Sequence, residues 1–508
     1  MFQETSRRRF LQGAAAATAV GLGDLAFLKR LAPVSAAEAS TQTGRVQLHP
    51  DIEPTVRLLE DTPRDELLEK VAARIQDGLS YQEVLAALLL AGVRNIQPRP
   101  HVGFKFHAVL VVNSAHLASL GSPDQHRWLP IFWALDHFKD SQADDVREGD
   151  WTMQAVDEAA VPPAHKAKAA LVEAMDNWDE AATDVAAAGL ARTAGVNEIF
   201  ELMFRYGARD FRDIGHKAIF VANSLRTLNC IGYQHTEPVL RSLTYALLQH
   251  DETNPAKADH RADRPWRENL ERSQTIRDTW LDGQLDPAAT TDMLAALREV
   301  DEHEASEKVV ELLNRGVAPQ SIWDALLLGA GELLVRKPGI VALHAVTTSN
   351  ALRYAWQTSG NDDTRRMLLL QNAAFLPMFR QAIVGRGGTL SGQKLDELQP
   401  VSPDESGEGA VGEIFADVSR DRMRAAGKTL AYLDAHPNPQ EFIDTARLLI
   451  FLKGTNAHDY KFSSAVLEDH LNVSPMYRGQ FLASSVFNLR GSIGSDNRLV
   501  ERTRAALA

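Results

Sequence analysis

Ser80-Tyr81-Gln82-Glu83-Val84-Leu85-Ala86-Ala87-Leu88-Leu89-Leu90-Ala91 decides the fold. A turn signal leads into an apolar run of helix-forming residues, and the same sequence device returns three times. Gly195-Val196-Asn197-Glu198-Ile199-Phe200, Ala318-Pro319-Gln320-Ser321-Ile322-Trp323 and Asn438-Pro439-Gln440-Glu441-Phe442-Ile443 have the same character. Gln82, Asn197, Gln320 and Gln440 stand 115, 123 and 120 residues apart. A fixed period of this size is the signature of a repeat architecture.

The context of each anchor is also shared. Upstream lies an amphipathic segment ending in a small turn, such as Leu67 to Leu79 or Val309 to Val317. Downstream comes a loop that often carries Pro or Gly, then a third helix that is apolar nearly all round. A closing helix follows: Trp128 to Phe138, Pro238 to Leu248, Arg366 to Phe379, and Tyr477 to Leu489. Alternating strand-type patterns are absent, and the Pro- and Gly-containing joins suit helix ends. The sequence therefore predicts an all-α chain: a helical-repeat array of four divergent units, each of about 120 residues and about four helices. The units run roughly over 61–150, 165–252, 296–384 and 413–508 of a repeat domain spanning 61–508. The charged or Pro-containing stretches Lys139 to Asp150, Asp251 to Glu271 and Gly385 to Gly412 read as solvated connections or lids between them.

Ahead of the repeats, Ser6-Arg7-Arg8-Arg9-Phe10-Leu11 matches a twin-arginine export signal, followed by a mild apolar stretch and a small-residue cleavage site near Ser35-Ala36-Ala37. Residues 1–37 read as a bacterial signal peptide and 38–60 as a linker, which places the mature protein in the periplasm. No later segment reads as a membrane span. The net charge of −13 argues against a nucleic-acid partner. One cysteine, Cys230, excludes an intramolecular disulfide and any multi-thiolate metal site.

Chemistry is expected on the third helix of each unit. His107, Lys217 with His216 beside it, His344 and Lys461 occupy the same position in the four copies. Seven residues on, Ser114, Ser224, Ala351 and Glu468 share their face. Polar groups on a buried helix are costly unless paired, so these residues are either satisfied core groups or functional ones. If the units curl into a closed array, His107, His216 and His344 converge as metal ligands or proton-transfer groups, with Lys217 and Lys461 stabilising an anionic intermediate. Asn113, Asn223 and Asn350 also align and read as hydrogen-bonding groups between helices. His101, His116, His235 and His458 are further candidates. The cofactor left open by this pattern is a transition metal or a haem. Gly407-Glu408-Gly409-Ala410-Val411-Gly412 spells a dinucleotide fingerprint, but no strand precedes it, so the chain carries no convincing nucleotide-binding motif.

Leu343-His344-Ala345-Val346-Thr347-Thr348-Ser349-Asn350-Ala351-Leu352-Arg353 resembles the His-x-Val-Thr segment of questin oxidase-like proteins. His107-Ala108-Val109, His116 and the helix from Trp128 to Phe138 are similar in style. The resemblance covers about two of the four units. It implies an all-helical oxidoreductase that opens aromatic polyketide rings by oxygen insertion, with His107 and His344 as the matching positions. Lys217 and Lys461 depart from histidine in the other units, and export removes the chain from reduced nicotinamide. Two functions are therefore carried forward: an oxidoreductase acting on a small organic substrate in a His/Lys-lined pocket, and a non-catalytic periplasmic helical-repeat scaffold.

Overall fold

The computed structural model describes residue 46 and residues 48–98, 106–248 and 253–507. The signal-peptide reading, the first part of the linker and His101 lie outside the described residues. Among those residues there are 22 α-helices and no β-strand; a single bridge joins Gln284 to Val317. The chain is all-α, as its periodicity predicts.

The first three stretches carry five helices each and the fourth carries six, rather than about four, and Arg264–Ser273 stands between the second and third. In the first, Glu53–Asp61 falls inside the region read as a linker. Pro54 sits in its first turn, where a missing N–H is harmless, and Val56 and Leu59 are buried. This short helix belongs to the fold because two apolar residues three apart find a core, which a local reading of a polar stretch does not reveal. Lys139 to Asp150 is likewise not an open connection, because the closing helix runs on from Leu129 to Glu148. Lys139 is buried and donates to the carbonyls of Leu59 and Glu60 at 3.1 and 2.8 Å.

Local chemistry sets several helix starts. Ser80 and Glu83 form a reciprocal capping box at the start of Tyr81–Asn95, satisfying donors that the first turn leaves open. Asp301 and Glu304 do the same for Glu302–Asn314. Gly407, in the left-handed region, opens Glu408–Val418, so the glycine-rich hexapeptide is a helix start. Asp362–Gly385 is by length and composition apolar enough to cross a membrane, contrary to the sequence reading, but 78% of its apolar window is buried within the protein.

The fourth helix of every stretch faces the middle. We name these α1 (His107–Leu120), α2 (His216–Ile231), α3 (Ile340–Thr358) and α4 (Ala457–Asp469). α1 packs on α2, α2 on α3, α3 on α4, and α4 back on α1, closing a ring of four parallel helices. All four are buried along most of their length, which explains why they lack a polar face. The aligned asparagines tie the ring together. Asn223 donates to the Leu110 carbonyl at 2.9 Å, Asn113 to Asn223 at 3.3 Å, and Asn350 to Glu468 and Asp469 at 2.7 and 3.0 Å.

Candidate metal centre

The N-terminal ends of the four ring helices meet at one place, and each delivers one histidine there. His107 and His216 are the first residues of α1 and α2, His458 is the second of α4, and His344 lies one turn into α3. All four are buried. One ring nitrogen of each lies within 4.8 Å of the other three. The imidazoles follow the order of the helices, with centroid separations of 5.1 Å (His107 to His216), 4.4 Å (His216 to His344), 5.2 Å (His344 to His458) and 4.5 Å (His458 to His107).

Their orientation is fixed from behind. His216 Nδ1 donates to the Asp213 carbonyl at 2.6 Å, and His344 Nδ1 donates to the Ile340 carbonyl at 2.7 Å. His458 Nδ1 stands 3.2 Å from Asn456 Oδ1, the side chain that also caps α4. A proton held on Nδ1 leaves the lone pair on Nε2, the arrangement by which metal-binding imidazoles are oriented. Those Nε2 atoms face one another: His216 to His344 at 3.0 Å and His216 to His107 at 3.3 Å. Two nitrogen lone pairs repel at that range unless a cation lies between them.

Protonation of His216, His344 and His458 is disfavoured. Burial first, then the Lys461 charge, holds His216 well below the ordinary imidazole range. Burial and the neighbouring His216, Lys461 and His458 do the same to His344. His458 is pushed down to about 3, again chiefly by burial. The four helix N-termini add positive potential from the same side. A divalent ion with ligands at about 2.0–2.1 Å in a tetrahedron spaces its donor atoms about 3.3 Å apart, close to the two separations seen here. The donor set fits a bare ion. It does not fit a haem, whose macrocycle takes four positions on the iron and leaves at most two for imidazoles.

The chain into α2 is strained to achieve this. Asp213 and Ile214 have φ of 58° and 46°, and Gly215 follows at 84°. A β-branched residue with positive φ is an outlier that only its surroundings can hold. Gly215 is required twice over, because a Cβ there would stand 2.1 Å from Thr348 Oγ1 on α3. This turn aims the Asp213 carbonyl at His216.

Of the residues read from the sequence, His107, His216 and His344 come together. Lys461 lies close enough for its charge to act on His216, His344 and His458. Its buried Nζ has no hydrogen-bond partner, it lines a narrow polar cavity inside the ring with Ser114, Asn113 and Thr347, and burial brings its pKa down to about 7. Lys217 does not join them. It turns outward to Asp210 at 2.8 Å and sits over the Trp178 ring at 4.8 Å, because a one-residue step on a helix rotates a side chain by about 100°. His116 pairs with Tyr81 and Cys230, and His235 lies against His49.

His458 is the member that repeat alignment does not place in the centre. The alignment selects Lys461, one turn further along α4. The signal available was its place at a helix start, after Asn456 with Asp459 three residues on, matching the helix-start positions of His107 and His216.

Compared with known protein families, with curated proteins and with solved structures, the chain matches none.

Proposed function

We propose that this protein binds one divalent transition-metal ion at His107, His216, His344 and His458, and uses it in the oxidation of a small organic molecule. The observation that carries the reading is the facing pair His216 Nε2 and His344 Nε2 at 3.0 Å, each with its other nitrogen bonded to a backbone carbonyl. Neutral imidazoles suit iron, copper, nickel and zinc rather than calcium or magnesium. When bound, such an ion supplies a Lewis-acidic or redox-active centre.

The chain's own residues have separable parts in this. The backbone carbonyls of Asp213 and Ile340 hold His216 and His344 in the tautomer that presents Nε2. The converging helix N-termini favour an anionic partner on the ion. Lys461, with an amine that titrates near neutrality and no hydrogen-bond acceptor of its own, is placed to hold or release a proton at Nζ beside the centre. The resemblance of α1 and α3 to questin oxidase-like helices supplies the reaction class. Export by the twin-arginine route, which carries folded passengers, fits a protein that acquires its ion before crossing the membrane.

The test is elemental analysis and absorbance or paramagnetic resonance spectroscopy of the mature protein, beside His216→Gln and His344→Gln. The expected result is close to one transition-metal ion per chain, lost in both variants while far-ultraviolet circular dichroism stays helical. A folded wild-type protein that neither contains nor takes up iron, copper or zinc would overturn the reading and leave the scaffold function.

A further inference from the structure

A second site is built into a crevice of about 510 Å³ that none of the four histidines lines. It lies between helices Ala164–Asn177, Val196–Gly207 and Arg264–Ser273. This size falls in the range of small-molecule sites.

Its floor carries Arg209, just beyond the end of Val196–Gly207 and 9% exposed. The guanidinium stacks on Trp178 at 4.0 Å, and Nη1 donates to the Met175 carbonyl at 2.8 Å. Nε and Nη2 are buried without an acceptor. The carboxylates around it make their hydrogen bonds elsewhere, Asp210 with Lys217, Asp263 with Arg212, and Asp176 with the Tyr206 hydroxyl, and act on Arg209 through their charge alone. Arg205, one turn earlier and over the Trp266 ring, makes no ion pair among the described residues. The other acidic residues of the lining are also satisfied. Glu198 meets Lys168 at 2.8 Å, and Glu201 turns to Ser359 and the Gly360 N–H.

A buried guanidinium with two nitrogens lacking an acceptor is expensive to maintain. Here two arginines, four residues apart and neither hydrogen-bonded to a carboxylate, line one crevice beside Asp176, Glu198 and Glu201, and its apolar walls include Trp266, Leu202 and Leu270. We propose that this crevice is a binding site for a small organic acid, its carboxylate held by Arg209 and Arg205 and its apolar or aromatic body lying between Trp266 and the two leucines. Planar, bidentate recognition of carboxylate is what an arginine fork provides.

Benzoate is the probe, with benzyl alcohol and sulfate as controls, titrated into the intact protein by calorimetry and tryptophan fluorescence. Benzoate is expected to bind saturably and at least about tenfold more tightly than benzyl alcohol, the discrimination of one charge-assisted hydrogen bond. Arg209→Gln should weaken benzoate about tenfold or more. Should that buried substitution unfold the chain, Arg205→Gln, at a partly buried position, reads the same charge and should weaken benzoate severalfold without affecting benzyl alcohol. Trp266→Ala should weaken both organic probes. Equal binding of benzyl alcohol, benzoate affinity unchanged in Arg205→Gln, or no saturable binding would each overturn the assignment. Sulfate displacing benzoate at equal concentration would also overturn it, in favour of an inorganic-anion site.

Discussion

Replacing Asp469 with asparagine should make the protein more stable at mildly alkaline pH and should leave it nearly unchanged in acid. Asp469 is fully buried at the C-terminal end of α4. Its Oδ1 accepts from Asn350 at 3.0 Å and from Asn472 at 2.8 Å, while Oδ2 has no partner. Burial, and then the neighbouring Glu468 charge, raise its pKa from 3.8 to about 7. A carboxyl whose folded pKa is raised keeps a proton that the unfolded chain releases. Its contribution is therefore favourable below the unfolded value and is lost as pH climbs through the window from about 4 to 7. Three pKa units correspond to about 4 kcal/mol as a ceiling. The asparagine carbonyl can keep both accepted bonds, and any penalty for its new, unpartnered NH₂ is independent of pH. The useful quantity is thus the change in the mutant-minus-wild-type difference between about pH 4.5 and about pH 8, for which the linkage gives about 3 kcal/mol in favour of asparagine at the higher pH. Urea denaturation followed by circular dichroism, in matched buffers, measures it. A difference that stays flat with pH, or that turns against asparagine as pH rises, would show that Arg226 and Arg353 stabilise an ionised Asp469 and that the reasoning is wrong.

Other substitutions test the frame around the centre. Asp210→Asn should destabilise the fold by about 3–5 kcal/mol, because it strands the buried Lys217 charge, and should leave metal content unchanged; chemical denaturation and elemental analysis together separate the two. Gly215→Ala should both destabilise the chain, by about 1–3 kcal/mol for the backbone alone, and lower metal content by displacing His216. Ser80→Ala should cost about 1 kcal/mol through loss of the Glu83 N–H cap, read as a small shift in denaturant midpoint with no effect on the ion.

The all-helical class was legible because it rests on local periodicity, and the four anchors 115 to 123 residues apart suggested a correspondence between helices. The same correspondence pointed to His107, His216 and His344. It faltered where the fold departs from strict register. His216 precedes the aligned position by one residue and His458 precedes it by one turn, so the aligned Lys217 is carried out to Asp210 while the imidazole beside it points inward. A turn with three consecutive positive φ values at Asp213, Ile214 and Gly215 makes that rotation, and an isoleucine in the left-handed region has no local sequence signature. Glu53–Asp61 and the buried Lys139 were missed for a related reason, since their partners lie about 40 to 80 residues away.

The sequence by itself determined that the chain is helical, which helices are apolar all round, and that each such helix carries a basic residue near its start. Those are consequences of side-chain type at a 3.6-residue period, and they need no partner to be read. Only the tertiary structure decided that four N-terminal ends meet, that the fourth side chain at the centre is His458 rather than Lys461, and that the Nε2 atoms of His216 and His344 face one another at hydrogen-bond range. Closure of the α1–α2–α3–α4 ring depends on contacts between residues more than a hundred positions apart, and the direction of each imidazole depends on a backbone carbonyl or cap side chain behind it. Composition and spacing specify neither.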